Sequence, residues 1–281
     1  MIESKYLSQG YPPGGDPPRK RTLPKGRKTG RGLPRRTVEC FVNHPTTVHR
    51  LNTAEFHTAV RQLSPATAVF DCDGTLWSGD AGSSFMHWTI EKGLVSRETI
   101  DWIDARYRGY NRGEVSELAI CGEMVQMYQG LREAELRTAA KDFFAARIEH
   151  NLFPEMLALV EELRGKGVEI WAVSSTNDWV IEEGMKRFGI PAERVLAARV
   201  EVKDGIVTDT ILDIPTDEGK VASLQQAGVS SPDAVFGNSV HDAAMLAMAR
   251  QAFPVNPTPA LLERSLQERW PVYYPASVAP A

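Results

Sequence analysis

Short apolar runs rich in β-branched and aromatic residues alternate along this chain with stretches of helical period. Thr67-Ala68-Val69-Phe70, Val168-Glu169-Ile170-Trp171-Ala172-Val173, Asp233-Ala234-Val235-Phe236 and Ala252-Phe253-Pro254-Val255 have the length and content of buried strands. Helical spacing places Phe56, Val60 and Leu63 on one face behind Thr53, which reads as the N-cap, and helices are expected over Pro154 to Arg164, from near Trp179, and over Asp217 to Leu224. Asp204-Gly205 between the alternating runs of Ala197 to Thr208 predicts a hairpin. From about Gly79 to His150 the strand signal vanishes and helical patterns take over, through Phe85-Met86-His87-Trp88, Ile100-Asp101-Trp102-Ile103 and Glu123 to Tyr128. The alternation predicts an α/β fold, a Rossmann-like parallel sheet core with an all-helical insertion after its first strand.

The expected organisation has three parts: a core of residues 46–79 and 152–281, a helical cap of residues 80–151, and an N-terminal arm of residues 1–45. The first 36 residues hold ten Lys or Arg against two acids, with six Pro and six Gly, and so carry about +8 while residues 37–281 carry about −12. Such a stretch cannot bury enough apolar surface to offset its ordering entropy and is expected to be disordered. A basic arm suits nucleic acid or an anionic membrane surface, but no aromatic stacking pattern or amphipathic period accompanies the charge. An unstructured tail, or a start assigned too far upstream, is the preferred reading, with neither nucleic acid nor membrane required. No apolar run approaches the 18 or more residues of a membrane span, and the N-terminus lacks the apolar segment of a secretory signal. The three cysteines, Cys40, Cys72 and Cys121, have neither disulfide nor zinc spacing, so a reducing cytoplasm is expected.

Polar clusters follow three of the strands. Asp71-Cys72-Asp73-Gly74-Thr75 sets two carboxylates where the first strand ends; the four fixed letters of D-x-D-G-T arise by chance in roughly one chain of this length in a few hundred. Taken alone it is also an acceptable turn. Ser174-Ser175-Thr176-Asn177-Asp178 is a hydroxyl-rich turn after the second run, and Gly237-Asn238-Ser239-Val240-His241-Asp242 follows the third. Lys220 lies between them on a helix. In parallel α/β sheets ligands sit at the carboxyl ends of the strands, so all four features are expected at one crevice. Cys72 has no His near it in sequence and reads as a small buried side chain.

In this order the motifs resemble the haloacid dehalogenase superfamily of phosphohydrolases, and within it the phosphoserine-phosphatase-like subfamily with a helical cap, over about residues 64 to 256. The resemblance implies an Mg²⁺-dependent phosphomonoester hydrolase acting through an aspartyl-phosphate. Asp71 is then the nucleophile, and Asp73 the acid that protonates the leaving oxygen and later takes a proton from water. It also implies that Mg²⁺ is held by Asp71, the backbone carbonyl of Asp73, and Asp242, and that Thr75, Ser174, Ser175 and Lys220 hold the phosphate. In isolation Lys220 reads as a solvated helix lysine and Ser174 as an ordinary N-cap. Many relatives carry a second acid where this chain has Asn238, which keeps an oxygen acceptor and loses a charge; Asn238 is expected to support the site from behind, and His241 either does the same by hydrogen bonding or is a buried or helix-capping histidine. A haloacid dehalogenase proper is disfavoured, because Asp73 has no role in that chemistry. Two alternatives remain: transfer of the phosphoryl group to an alcohol, and a catalytically weak phosphate-binding scaffold.

The expected substrate is a small phosphate ester. Phosphoserine phosphatases are expected to hold the substrate amine with an acid just after the first motif, and Asp80 fits. Residues 113–131 contain no Lys or Arg, and Met124 falls near the arginine expected to hold a carboxylate. Glu114, Glu117, Glu123, Met127 and Tyr128 occupy the same stretch, a composition that suits an amine-bearing substrate such as phosphoserine, phosphocholine or phosphoethanolamine. Alternatively, Trp88, Trp102, Tyr128 and the methionines form the core of the cap. The oligomeric state is not legible.

Overall fold

The computed structural model describes residues 47–278 of the chain; the expected arm of residues 1–45 and Cys40 lie outside the described residues. The chain opens with β1 (Arg50–Leu51) and α1 (Thr53–Leu63), then enters the sheet as β2 (Thr67–Phe70). Four helices follow: α2 (Ala81–Glu91), α3 (Arg97–Asn111), α4 (Glu117–Gln126) and α5 (Glu133–Phe143), the last continued by a π-helical turn over Phe144–Ile148. Next come α6 (Pro154–Gly165), β3 (Glu169–Asn177), α7 (Asp178–Phe188), β4 (Val195–Lys203), β5 (Ile206–Asp213) and α8 (Glu218–Gln226). The chain closes with β6 (Ala234–Gly237), α9 (Ala243–Ala247), β7 (Gln251–Pro254), α10 (Pro259–Glu268) and β8 (Val272–Tyr273).

The main sheet runs β5-β4-β3-β2-β6-β7, parallel except for the β4–β5 pair. The period of two along β2 divides the core. Ala68 and Phe70 face one layer, where Phe70 stacks on Phe236 with ring centroids 4.3 Å apart and Phe236 on Phe253 at 5.2 Å. Val69 faces the other, with Trp171, Val235, Leu224 and Leu246. Helices therefore cover both faces, as a sheet of continuous apolar strands requires.

Two boundaries differ from the sequence reading. Asn52, rather than Thr53, caps α1: its side chain accepts from Glu55 N–H while the Glu55 carboxylate accepts from the Asn52 backbone, a capping box. The second run does not stop at Val173. It continues as strand through Ser174 to Asn177, with a register shift against β4 between Ser174 and Asn177, and Asn177 then caps α7. That irregularity aims the hydroxyl cluster at the sheet's end.

The helical insertion leaves and returns side by side. Trp77 pairs with Leu152, Ser78 N–H donates to Asn151 O at 3.0 Å, and Phe153 N–H to Leu76 O at 2.9 Å. The β4–β5 hairpin, whose Asp204 and Gly205 both have positive φ, meets the insertion through Gly130 N–H to Val207 O and Val207 N–H to Leu131 O, each 2.9 Å. Among the described residues no helix is long and apolar enough to cross a membrane.

Candidate active site

The site begins one residue beyond β2. Asp71 N–H donates to Phe236 O at 2.9 Å, so the strand direction persists and the Asp71 side chain is carried to the end of the sheet, buried. The chain then reverses through Gly74 at φ +74°, where a Cβ would stand 1.9 Å from Asn238 Nδ2. Only glycine combines that conformation with that contact. Thr75, fully buried by the turn, donates its hydroxyl to Asp71 Oδ2 at 2.8 Å.

Lys220 comes up from α8 between two carboxylates. Its Nζ donates to Asp71 Oδ1 at 2.8 Å and to Asp242 Oδ1 at 2.6 Å, with Val173 O at 3.3 Å. The other oxygen of Asp242 accepts the backbone N–H groups of Asn238 and Ser239, each at 2.9 Å. All three charged side chains are buried. Burial, and then the charge of Asp242, push Asp71 up to about 6, against the pull of Lys220. Burial opposes charge on Lys220, but the Asp242 and Asp71 carboxylates overcome it and hold the ammonium well above its usual range.

Asp73 has a separate set of partners. Its Oδ1 accepts from the Trp77 indole N–H at 2.7 Å and from Ala81 N–H, at the start of α2, at 2.8 Å. Its Oδ2 accepts from Thr176 Oγ1 at 2.7 Å. Asp73 opens to the cleft, yet burial of its carboxyl and then the nearby charge of Asp80 push it up to about 7. Two carboxylates two residues apart thus have different surroundings: Asp71 is tied to a cation, Asp73 to neutral donors.

These groups floor a cleft of about 400 Å³, walled by Ser174, Ser175, Asn238 and His241 from the sheet side and by Tyr107, Tyr110, Glu117 and Met124 from the insertion. Of the residues expected at the site, Asp71, Asp73, Asp80, Ser174, Ser175, Lys220, Asn238, His241 and Asp242 all border this cleft. Thr75 does not; its hydroxyl is engaged by Asp71. Ser175 donates to Pro215 O at 3.1 Å, and Ser174 Oγ accepts from Thr176 N–H at 3.2 Å. Asp80 caps α2, accepting from Ser83 N–H and Oγ. His241 Nδ1 lies 2.8 Å from Asp217 Oδ1. Cys72 is buried, and burial followed by the charges of Asp71 and Asp73 pushes its thiol far up, which leaves it inert as a nucleophile.

Four residues in or beside the site escaped the sequence reading. Thr176 was legible only as one hydroxyl in a polar run, nothing in Tyr107 or Tyr110 distinguishes a wall of the cleft from core, and Trp77, fully buried, reads as core although its indole holds Asp73. The anticipated cap core is present in part: Tyr128 and Met127 are buried, whereas Trp102 is exposed.

The donor set is one that suits a hard cation. The Lys220 ammonium already sits between the Asp71 and Asp242 carboxylates, and the Asp73 carboxyl is turned to Trp77 and Thr176. Among the described residues no three His, Cys, Asp or Glu side chains form a metal cage. Mg²⁺ does not demand one, because it binds through one or two carboxylates and completes its shell with water and phosphate oxygens.

Comparison with known proteins places the chain in a family. The family model described as haloacid dehalogenase-like hydrolase matches residues 68–247. A histidinol-phosphatase of Neisseria meningitidis serogroup C is 26% identical over 216 residues, covering 73% of this chain and 96% of that protein. Among solved structures, a protein of unknown function from Bordetella pertussis Tohama I superposes with a TM-score of 0.67 at 24% identity, over 74% of this chain and 97% of that one. A phosphoserine phosphatase bearing a phospho-aspartyl intermediate analogue gives a TM-score of 0.51 at 18% identity, over 74% and 92%.

Proposed function

The chain belongs to the haloacid dehalogenase-like hydrolase family and is a phosphatase, and on that premise we propose that it hydrolyses a small phosphate monoester in two steps through an aspartyl-phosphate on Asp71. The observation that carries this reading is the Lys220 ammonium, 2.8 Å from Asp71 and 2.6 Å from Asp242 at the sheet's carboxyl end. A carboxylate approaches a phosphate dianion only if cations offset the repulsion, and Lys220 is built in at that point.

In the first step an oxygen of Asp71 attacks phosphorus, the ester P–O bond breaks, and Asp73 gives its proton to the departing alkoxide. A carboxyl held at about 7 is still half-protonated at neutral pH, as a general acid requires. In the second step Asp73 takes a proton from water as that water attacks phosphorus, and the P–O bond to Asp71 breaks to release inorganic phosphate. Ser174 and Ser175, at the end of β3, border the cleft where the phosphate oxygens would sit. Residues holding Mg²⁺ would be Asp71, Asp242 and the backbone carbonyl of Asp73. When bound, the ion supplies charge neutralisation at the phosphate. Residues 80–151 serve as the cap that closes over the reacting groups and excludes water. The phospho-aspartyl analogue in a fold neighbour supports the covalent route.

Turnover of p-nitrophenyl phosphate with and without Mg²⁺, in wild type and Asp71→Asn, tests the reading. Mg²⁺-dependent release that Asp71→Asn abolishes is expected. Metal-independent release, or release that survives the substitution in a sample checked for deamidation, contradicts it.

A further inference from the structure

The wall of the cleft opposite the catalytic carboxylates is acidic and aromatic. Glu117, the first residue of α4, has a side chain only 17% exposed. Its Oε2 is buried and accepts no hydrogen bond from any described residue; His241 Nε2 stands 3.7 Å away, and Cys121 Sγ approaches the other oxygen at 3.5 Å. A buried carboxylate oxygen with no donor is costly, and such an arrangement is retained where a ligand brings the donor. Tyr107 and Tyr110 line the same wall, and Asp80 adds a second carboxylate below it. Burial and then a hydrogen bond to the Glu117 carboxylate push the Tyr110 phenol upward, so it stays neutral.

Cations are missing from that wall. Among the described residues, Lys220 is the one Lys or Arg that borders the cleft, and it is bound between Asp71 and Asp242. Arg106 chelates Glu123 through Nε at 2.8 and 2.9 Å, and Arg112 holds Glu114 at 2.9 and 2.7 Å. Of the acids in the stretch 113–131, Glu117 alone is left facing the cleft.

We infer that Glu117 receives a protonated amine, and that the substrate is the phosphate monoester of an amino alcohol with no free carboxylate. The inference rests on the phosphohydrolase reading above. An ammonium group satisfies the bare Glu117 oxygen and lies against tyrosine faces, both favourable. A substrate carboxylate in the same place meets Glu117 and Asp80 without a partner, which is a penalty against the wrong substrate.

Steady-state turnover in Mg²⁺ tests this with two ammonium esters, phosphoethanolamine and histidinol phosphate, against propyl phosphate, the neutral isostere of the first, and phosphoserine, which adds a carboxylate. The better ammonium ester is expected to exceed both others in kcat/KM by roughly tenfold or more. Glu117→Gln should bring the ratio of ammonium ester to propyl phosphate down toward one. A wild-type ratio at or below one overturns the inference without recourse to any variant, and so does an unmoved ratio in a folded Glu117→Gln protein. p-Nitrophenyl phosphate is run alongside. Asp71-dependent release from it without an amine preference overturns this inference alone, whereas no Asp71-dependent release from any ester overturns the phosphohydrolase reading and this inference with it.

Discussion

Thr176 donates its hydroxyl to Asp73 Oδ2 at 2.7 Å from a position 103 residues further along the chain. The irregular end of β3 thereby fixes which way the Asp73 carboxyl points, while Trp77 and Ala81 hold its other oxygen. Thr176→Val removes one donor to an ionisable group, worth about 1.5–3 kcal/mol. The expected result is a drop of about tenfold or more in kcat/KM for an alkyl phosphate and a smaller drop for p-nitrophenyl phosphate, whose leaving group needs less proton help. Equal losses on both esters would show that Thr176 acts on something other than the acid. Because that hydrogen bond pulls the Asp73 pKa down, its loss should also shift the alkaline limb of the rate profile to higher pH.

The rate profile itself carries a sign. Asp73 must be protonated to give its proton to the leaving group, and its carboxyl is raised to about 7. For alkyl phosphates, kcat/KM is therefore expected to fall as pH rises through about 7, and to flatten for an aryl phosphate. A profile that rises through that range for alkyl esters contradicts the assignment of Asp73 as the acid.

Much of this site was readable in the chain because each motif sits where a buried strand ends. Phe70 and Phe236 mark those ends by their apolar runs, so the sequence pattern alone brings Asp71 and Asp242 to one crevice. What was not readable depends on contacts across sequence. Trp77 reads as one more core aromatic, and only the fold brings its indole to Asp73. The helices of residues 81–143 carry amphipathic faces, but amphipathicity does not say which face looks at the sheet. Glu114, Glu117 and Glu123 are equivalent in sequence, and the pairing of two of them with Arg112 and Arg106 is what singles out the third. Asn52-x-x-Glu55 carries the capping-box spacing in the sequence itself, but Thr53 beside it is also a favoured cap residue, and only the backbone geometry separates the two.

Folding stability should follow the same groups. A carboxyl whose pKa is raised from 3.8 to about 7 on folding binds more protons in the native state than in the unfolded one between those values, so stability falls as pH climbs through that window. At about 1.4 kcal/mol per unit, the loss for Asp73 is of order a few kcal/mol. Urea titrations in metal-free buffer at pH 5 and pH 8 are expected to show a smaller decline in Asp73→Asn than in wild type. An equal or steeper decline in the variant would contradict the raised pKa.

Lys220→Met leaves Asp71 and Asp242 buried without their shared cation. Breaking such an arrangement typically costs about 3–5 kcal/mol, and a loss of that size is expected in metal-free buffer by denaturant titration. A variant as stable as wild type would mean that the two carboxylates do not depend on Lys220.

The Asn238 position separates charge from shape. Asp242→Asn should remove Mg²⁺-dependent activity, whereas Asn238→Asp should be tolerated and tighten Mg²⁺ by adding charge beside Asp242, each tenfold gain being about 1.4 kcal/mol. If Asn238→Asp weakens metal dependence while Asp242→Asn leaves it untouched, this cluster is not the metal-binding end of the site.

The most direct measurement is acid-quench trapping of the enzyme during turnover of a phosphate ester in Mg²⁺, followed by peptide mapping by mass spectrometry. The expected result is a single acid-stable, base-labile phosphoryl group on Asp71, absent from Asp71→Asn, which should show no turnover. Phosphate recovered on another residue, or full turnover with no phosphorylated peptide at any quench time, would contradict the covalent role of Asp71.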